Sequence, residues 1–226
     1  MKTLFSIALV LLFVAQFAFA EIEDQISEEF KVDNGGTLYI DADLGSIKIA
    51  THSNNKIDVN ITRKVKTNSK REAAKILEDL TIDFDKRGAD LHITAELDND
   101  DWGFLKKLRN KLRLDFEVIV PKEYNVDLKT SGGSISVDDL NGSATTKTSG
   151  GSLKFGQIDG PVNGKTSGGS ITLQGCNGDA EIKTSGGSLN IGDVDGNVLA
   201  KTSGGSINID HVYGTLKAST SGGSIK

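Results

Sequence analysis

The sequence predicts an all-β protein, a parallel β-solenoid of 18-residue coils with an N-terminal β-rich cap that contains one or two short helices. The main observation is the hexapeptide Thr-Ser-Gly-Gly-Ser-(Ile/Leu), which recurs every 18 residues without an insertion. Its copies begin at Thr130, Thr148, Thr166, Thr184, Thr202 and Thr220. A fixed period of this kind is typical of architectures in which each repeat stacks on the next.

Aligned on this period, the repeats show four apolar columns. Within each repeat the apolar residues lie two apart, which is the alternation of a strand and not the spacing of a helix. The first two columns are Ile135, Leu153, Ile171, Leu189, Ile207, Ile225 and Val137, Phe155, Leu173, Ile191, Ile209; the other two begin at Leu140 and Ala144. We expect all four columns to face the core.

Stacking follows from the small size of one coil. The Gly-Gly pairs and the Asn-Gly or Asp-Gly pairs predict turns, because glycine reaches positive φ at low cost. One coil buries about four apolar side chains, worth roughly 6–10 kcal/mol, whereas ordering its backbone costs roughly 18–36 kcal/mol. Each strand is therefore expected to pair in parallel with its equivalent in the next coil, about 4.8 Å away. An antiparallel sandwich is the alternative.

The composition of the chain changes near residue 130. Residues 21–129 contain 5 glycines, whereas residues 130–226 contain 21. We therefore divide the chain after its leader into an N-terminal β-rich cap region, 21–129, and the β-solenoid repeats, 130–226. In the cap region, Ser69-Lys-Arg-Glu72 predicts a capping box that opens a helix reaching about Leu80. Alternation predicts strands at 37–41, 46–50, 56–64, 81–85, 91–96 and 114–120.

Residues 1–20 have the features of a cleaved secretory signal peptide. Lys2 precedes an almost wholly apolar run that ends at Phe19, and Ala18-Phe19-Ala20 has the small–x–small pattern that a signal peptidase cleaves. No later segment is long and apolar enough to cross a bilayer. We expect an exported protein without a transmembrane segment after cleavage; an uncleaved anchor is the alternative.

Composition argues against several functional classes. The formal net charge of −5 and the pI near 5.3 argue against binding to nucleic acid, which requires a basic excess. The single cysteine excludes an intrachain disulfide and a multi-thiolate metal site. The three histidines share no metal-ligand spacing, and no nucleophile motif is present. We therefore expect no metal, no cofactor and no catalytic residues.

A column of lysines is the candidate binding site. Successive repeats carry a lysine immediately before the hexapeptide, until Ser219 interrupts the column: Lys129, Lys147, Lys165, Lys183 and Lys201. Stacked coils would bring these ammonium groups to about 5 Å, where like charges repel modestly in water. Such a stripe suits an anionic glycan or another anionic polymer. The alternative is a solvated row whose side chains spread apart and pair with carboxylates such as Glu181.

Three other features have both a functional and a structural interpretation. The hydroxyl ladder that begins with Ser131 suits glycan or ice binding, or it satisfies the backbone of its own turns; continued alternation would point the threonines inward. The basic amphipathic segment 102–113 suits either an anionic membrane surface or packing against its own domain. Cys176 lies in an inward column, which favours a buried, unreactive thiol.

Several stretches resemble a family of exported bacterial proteins named as putative adhesins, which carry a domain of unknown function. The resemblance rests on residues 35–47, on Val120-Pro121, on residues 127–135 and on the tandem repeats that follow. It covers most of the chain after the leader and implies a β-solenoid in the periplasm, on the outer surface or outside a bacterial cell. The family has no established catalytic residues to transfer.

These observations favour a non-enzymatic exported module that binds a cell-surface glycan or an envelope protein. A polysaccharide-active enzyme of the envelope is one alternative, although no insertion between the coils is present to carry a catalytic site. A self-stacking structural protein is the other. The sequence stops at Lys226 inside a new coil, and we expect the unpaired edge there to favour end-to-end homo-association.

Overall fold

The structure, a computed structural model, describes residues 21–97 and 110–226. Most of these residues lie in strands, and they include one helix with both ends described, Lys70–Glu78, while residues 110 and 111 are also helical. In chain order the elements are β1 (Glu21–Lys31), β2 (Thr37–Ala42), β3 (Ser46–His52), β4 (Lys56–Lys66), α1 (Lys70–Glu78), β5 (Leu80–Arg87), β6 (Asp90–Leu97), β7 (Leu112–Pro121), β8 (Asn125–Thr130), β9 (Ile135–Val137), β10 (Ala144–Thr148), β11 (Leu153–Ile158), β12 (Val162–Lys165), β13 (Ile171–Asn177), β14 (Ala180–Lys183), β15 (Leu189–Asp195), β16 (Val198–Lys201), β17 (Ile207–Ile209) and β18 (Leu216–Ser219).

The strands form two nine-stranded sheets with the core between them. Sheet A has the order β1-β4-β7-β3-β9-β11-β13-β15-β17, and sheet B has the order β18-β16-β14-β12-β10-β8-β2-β6-β5. From β8 onward the chain alternates between the sheets, one strand in sheet B and the next in sheet A. Each repeat therefore contributes one strand to each layer.

Within the repeats, each strand pairs in parallel with the strand of the neighbouring coil. On sheet B, Ala144 pairs with Val162 and Val162 with Ala180; on sheet A, Leu153 pairs with Ile171. In each case the partner is the residue 18 positions further along the chain, which is the spacing of the hexapeptides. The parallel pairing is confirmed, and the antiparallel sandwich is wrong for the repeats.

The N-terminal region contributes strands to the interior of both sheets. Strand β2 lies between β6 and β8, and β3 lies between β7 and β9, all in parallel. Strand β4 pairs antiparallel with β1 and β7, and β5 pairs antiparallel with β6. Neither sheet is interrupted at residue 130, because β8 pairs with both β2 and β10, and β9 pairs with both β3 and β11. The cap role of residues 21–129 and the boundary after residue 129 stay predictions.

The strands and helix expected in this region are present. The six predicted strands correspond to β2, β3, β4, β5, β6 and β7. Each observed strand is slightly longer than the predicted range. The helix α1 begins after Ser69, whose hydroxyl accepts a hydrogen bond from the backbone N–H of Glu72 at 3.2 Å. This is the N-cap bond that the capping box predicts. The helix ends at Glu78, slightly before the expected position, and buries Ala73 and Ile76.

Strand β1 is the element that the alternation rule fails to predict. Its apolar residues Ile22, Ile26 and Phe30 lie four apart, whereas strand alternation places them two apart. Asp24 lies on the same half-buried face and forms an ion pair with Arg63 of β4. A paired carboxylate thus replaces an apolar side chain, which hides the period of two.

The apolar columns face the core as expected. In the first column, from Ile135 to Ile207, no side chain is more than 1% exposed. The last coil differs, because Ile225 is 48% exposed and Leu216 is 46% exposed. No further coil covers these two side chains in the structure.

The Gly-Gly turns differ from the prediction. None of the Gly-Gly residues between 130 and 226 has a positive φ, so the expected left-handed conformation at these pairs is wrong. The second glycine is needed for another reason. A Cβ atom on Gly169 would lie 2.1 Å from the backbone oxygen of Gly151 in the previous coil, whereas one on Gly168 would have no neighbour closer than 3.5 Å. Close stacking of backbones excludes any side chain at the second position.

Two predicted segments fall partly or wholly outside the described residues. The signal peptide, 1–20, is one of them, and the basic segment 102–113 is described only from residue 110 onward. Within the part of the chain that the structure covers, no helix combines the length and the apolar character that a membrane span requires.

Candidate functional site

The five predicted lysines lie side by side on the outer face of sheet B. Lys129 pairs with Lys147, and the pairing continues in register through Lys165 and Lys183 to Lys201. We call these five residues the lysine ladder. Each follows an inward-facing residue on its strand, so alternation turns it outward. Successive lysines are one strand spacing apart, about 4.8 Å.

A second outward column runs parallel to the lysine ladder, two residues earlier on each strand. Its members are Asp127, Thr145, Asn163, Glu181, Leu199 and Lys217. Glu181 pairs with two ladder lysines, Lys183 at 2.7 Å and Lys165 at 2.9 Å. The expected pairing of ladder lysines with Glu181 is therefore present at the middle of the ladder.

The ion pairs leave parts of the lysine ladder free. Lys129 lies 3.9 Å from Asp127, at the limit of an ion pair. Over residues 21–97 and 110–226, neither Lys147 nor Lys201 has a carboxylate within ion-pair distance. Two like charges at one strand spacing, about 4.8 Å, repel by about 1 kcal/mol in water. Lys147 and Lys201 are therefore the ladder residues whose charge no described carboxylate offsets.

The electrostatic effect of the ladder is visible at Glu181. The ammonium groups of Lys183 and then Lys165 hold the pKa of this carboxyl below its ordinary value. Lys165 and Lys183 are 43% and 36% exposed, and solvent-exposed pairs of this kind contribute about 0–1 kcal/mol. These ion pairs therefore hold the side chains of Lys165 and Lys183 near Glu181 on the surface, and they contribute little to the free energy of folding.

The two outer faces of the repeats carry different charges. On sheet B the strands β8, β10, β12, β14, β16 and β18 present six lysines against the carboxylates of Asp127 and Glu181. On sheet A the strands β9, β11, β13, β15 and β17 present Lys154 against Asp193 and Asp195. A protein with a net charge of −5 thus has one basic face.

The column beside the ladder extends into the N-terminal strands, which the repeat period does not predict. Tyr39 pairs with Asp127 across β2 and β8, and its ring stacks on that of His92 with centroids 4.3 Å apart. One carboxylate oxygen of Asp127 is buried without a hydrogen-bond partner. Sequence spacing could not place Tyr39 and His92 here, because their strands do not follow the repeat.

The threonines of the hexapeptide are structural. Those from Thr130 to Thr202 are buried. From Thr148 onward, each hydroxyl donates to the backbone oxygen of the second glycine in the previous hexapeptide, as Thr184 does to Gly169 at 2.8 Å. The serine after the glycines also links coils, since the Ser152 hydroxyl accepts from the backbone N–H of Ser170 at 3.3 Å. The column that begins with Ser131 is exposed. Because the threonines point inward, the outward hydroxyl groups of the hexapeptide come from its serines alone.

Cys176 lies in the core as expected. Its side chain is 1% exposed, and its thiol donates to the backbone oxygen of Gly178 at 3.3 Å. Burial, followed by the charge of Asp179, raises the pKa of the thiol to about 11. At neutral pH it is therefore not a nucleophile.

The described residues hold no group of three or more His, Cys, Asp or Glu side chains that could bind a metal ion. The absence of metals, cofactors and catalytic residues from the whole chain stays a prediction. The lysine ladder presents positive charge to solvent, and the described residues group no side chains in an arrangement typical of bond-breaking chemistry.

These features define a class of protein in which parallel repeats stack into two sheets. In this chain, the outer face of one sheet is basic. The chain belongs to the family named Toastrack DUF4097, whose model matches residues 33–226. A search of the curated proteins gave no match.

Comparison with solved structures gave matches to bacterial proteins. A putative adhesin from Bacteroides fragilis is 14% identical, with a TM-score of 0.40, covering 89% of this chain and 96% of its own. A putative cell adhesion protein from Clostridium sporogenes is 12% identical, with a TM-score of 0.38, covering 92% and 100%. A putative lipid binding protein from Parabacteroides distasonis is 14% identical, with a TM-score of 0.29, covering 89% and 96%.

Proposed function

We propose that the protein is an exported, non-enzymatic binding module of the bacterial cell envelope that holds an anionic polymer along the lysine ladder. The observation that supports this most strongly is the pairing of five lysines in one register on the outer face of sheet B. The leader-like sequence of residues 1–20 supports export.

A linear polyanion suits the ladder better than a single small anion. Each exposed ammonium–anion contact is weak, about 1 kcal/mol or less. A polymer that lies along the stack meets several lysines at once, so that the weak contacts combine into useful affinity. Because charges are screened over about 8 Å at physiological ionic strength, binding is expected to weaken as salt is raised.

The test uses the double variant Lys147→Glu/Lys201→Glu, since neither lysine has a carboxylate partner in the described structure. Affinity for polyphosphate, measured by isothermal titration calorimetry at fixed salt, is expected to fall about tenfold or more, which corresponds to about 1.4 kcal/mol. The melting temperature is expected to stay within about 2 °C, because both side chains are on the surface.

The matched control is Lys48→Glu/Lys154→Glu on the outer face of sheet A, where both lysines are exposed on strands. It changes the net charge by the same amount. An equal loss in the two variants, or no loss in either, contradicts a site at the ladder. Lys165→Glu/Lys183→Glu should have a smaller effect than the first variant, since these lysines already pair with Glu181.

The enzymatic alternative has a distinct outcome. Turnover of an acidic glycan that a single Asp or Lys substitution in the repeats abolishes would favour a polysaccharide-active enzyme of the envelope. Binding without turnover favours the module proposed here.

Homo-association through the last coil is a second candidate function. The exposed apolar side chains Leu216 and Ile225, together with Tyr213 at 73% exposure, favour it because they would be covered by a second copy of the chain. Sedimentation velocity over a range of concentrations tests it. Association at this edge is supported if the unsubstituted chain forms oligomers and the Leu216→Lys variant is monomeric. It is contradicted if the unsubstituted chain is monomeric at all concentrations.

A further inference from the structure

A groove runs along the outer face of sheet B, directly beside the lysine ladder. It has a volume of about 630 Å³ and extends over the strands from β10 to β18, a distance of about 19 Å at one strand spacing per coil. Two rows of side chains line it. The strand row is Thr145, Asn163, Glu181, Leu199 and Lys217, and the turn row is Ser143, Pro161, Asp179, Asn197 and Thr215.

The polar groups of the two rows differ in what they already bind. In the turn row, Asp179 accepts from the backbone N–H of Asn197 at 2.8 Å, and Asn197 in turn accepts from the backbone N–H of Thr215 at 3.0 Å. In the strand row, the side chains of Thr145 and Asn163 have no hydrogen-bond partner among the described residues. Asp179 and Asn197 are therefore engaged within the turns, whereas Thr145 and Asn163 are free to bind a ligand.

Apolar groups are interspersed with these polar groups. Pro161 is exposed and Leu199 is half-buried, although both lie on the outside of the protein. A pyranose ring has the matching character, with C–H groups on its faces and hydroxyl groups on its edge. The groove thus offers apolar contact for ring faces, and an amide and a hydroxyl for ring edges.

The lysine ladder lies next to this groove, on the same outward face of sheet B, although its lysines do not line the groove. Lys147, Lys165, Lys183 and Lys201 each lie two residues beyond a strand-row residue on the same outward face. A chain in the groove would therefore run parallel to the ladder, with its acidic groups beside the ammonium groups. A polymer that offers charge alone would leave Thr145, Asn163 and Leu199 unused.

We propose that the groove binds a linear acidic polysaccharide, with the sugar chain along the stacking axis of the coils. Hydroxyl groups bind Thr145 and Asn163, ring faces contact Pro161 and Leu199, and carboxylates pair with the free ladder lysines. This inference rests on the proposed function and specifies its ligand, which is a polymer recognised by its sugar units as well as by its charge.

The experiment compares two probes, polygalacturonate and polyphosphate, on the full chain after its leader. The variant Thr145→Val/Asn163→Val removes the free hydrogen-bonding groups of the groove, keeps every charge and introduces good strand formers. Affinity for polygalacturonate is expected to fall about fivefold or more, because two hydrogen bonds to the ligand are lost. Affinity for polyphosphate is expected to change by less than about twofold.

The matched control is Thr172→Val/Gln174→Val, which makes a similar change on the outer face of sheet A. It should leave both affinities unchanged. If Thr145→Val/Asn163→Val and the unsubstituted chain bind polygalacturonate equally well, the proposal that the groove binds the polysaccharide is wrong. If Lys147→Glu/Lys201→Glu still weakens polyphosphate binding, that result leaves the proposed function standing. Binding to vesicles of an anionic phospholipid that polygalacturonate does not displace also overturns the inference, in favour of a membrane surface.

Discussion

The outer faces of the two sheets differ, although the strands behind them are built alike. Both sheets stack parallel strands in the same register, and both bury a continuous set of apolar columns. Outside, sheet B repeats a lysine in five successive coils, whereas sheet A carries mainly amides and hydroxyls. Since sheet A stacks without a charged column, the fold does not require one. Two like charges at one strand spacing repel by about 1 kcal/mol in water, so stability does not account for the repeated lysine, whereas the proposed binding role would.

The largest expected effects lie where the two sheets are alike. Ile171 of sheet A and Ile182 of sheet B are both fully buried. Replacing either with Asp buries an unpaired charge, and each variant is expected to lose more than about 4 kcal/mol of unfolding free energy. Urea denaturation followed by circular dichroism measures this loss. A stable protein after either substitution would show that the corresponding column does not face a shared core.

An intermediate effect is expected at the turns that join the sheets. Gly169→Ala places a Cβ against the backbone of the previous coil, with the nearest atom, the Gly151 oxygen, at 2.1 Å. Backbone must move to accept it, and we expect a loss of about 2–3 kcal/mol. The neighbouring variant Gly168→Ala meets nothing closer than 3.5 Å and serves as the control. Equal stability of the two variants in the same denaturation assay would contradict the close stacking of successive turns.

The smallest effect is expected at Glu181, on the face that differs. Glu181→Gln frees Lys165 and Lys183, so affinity for polyphosphate is expected to rise about threefold while stability changes by less than about 0.5 kcal/mol. The pKa of Glu181 is lowered by these lysines. The small stabilisation from its ion pairs is therefore present above the ordinary carboxyl pKa and is lost as the pH falls through the lowered value. Calorimetric titration at pH 7 detects the gain, and weaker binding by the variant would contradict competition between Glu181 and the ligand.

The sequence predicts the repeats far better than the N-terminal region, for a physical reason. In the repeats, the same type of residue recurs at the same position of every coil. This recurrence specifies the direction of the strands, their register and the burial of their side chains, so the columns of Ile171 and Lys165 follow from the 18-residue period. No repeated sequence motif indicates that β2 lies between β6 and β8, because these three strands, which are far apart in the chain, do not share one. Stacking of Tyr39 on His92 could not be predicted for that reason.

Local chemistry explains the remaining differences. The ion pair of Asp24 with Arg63 hides the alternation of β1. The Gly-Gly pairs suggest positive φ, but the structure uses the second glycine for close approach between backbones. Glu181 was recognisable as a partner of the ladder from its place in the repeat. The groove was not, because its free groups, Thr145 and Asn163, differ from coil to coil.

Pulsed electron paramagnetic resonance between paired spin labels can measure whether lysines from successive repeats stack in one parallel register. Lys129→Cys is combined in turn with Lys183→Cys and Lys201→Cys; buried Cys176 should take up no label, which the unsubstituted chain checks. Stacking in one register should give backbone separations of about 14 Å and about 19 Å, an increase of one strand spacing for the added repeat. Distances that do not increase from the first pair to the second would contradict it.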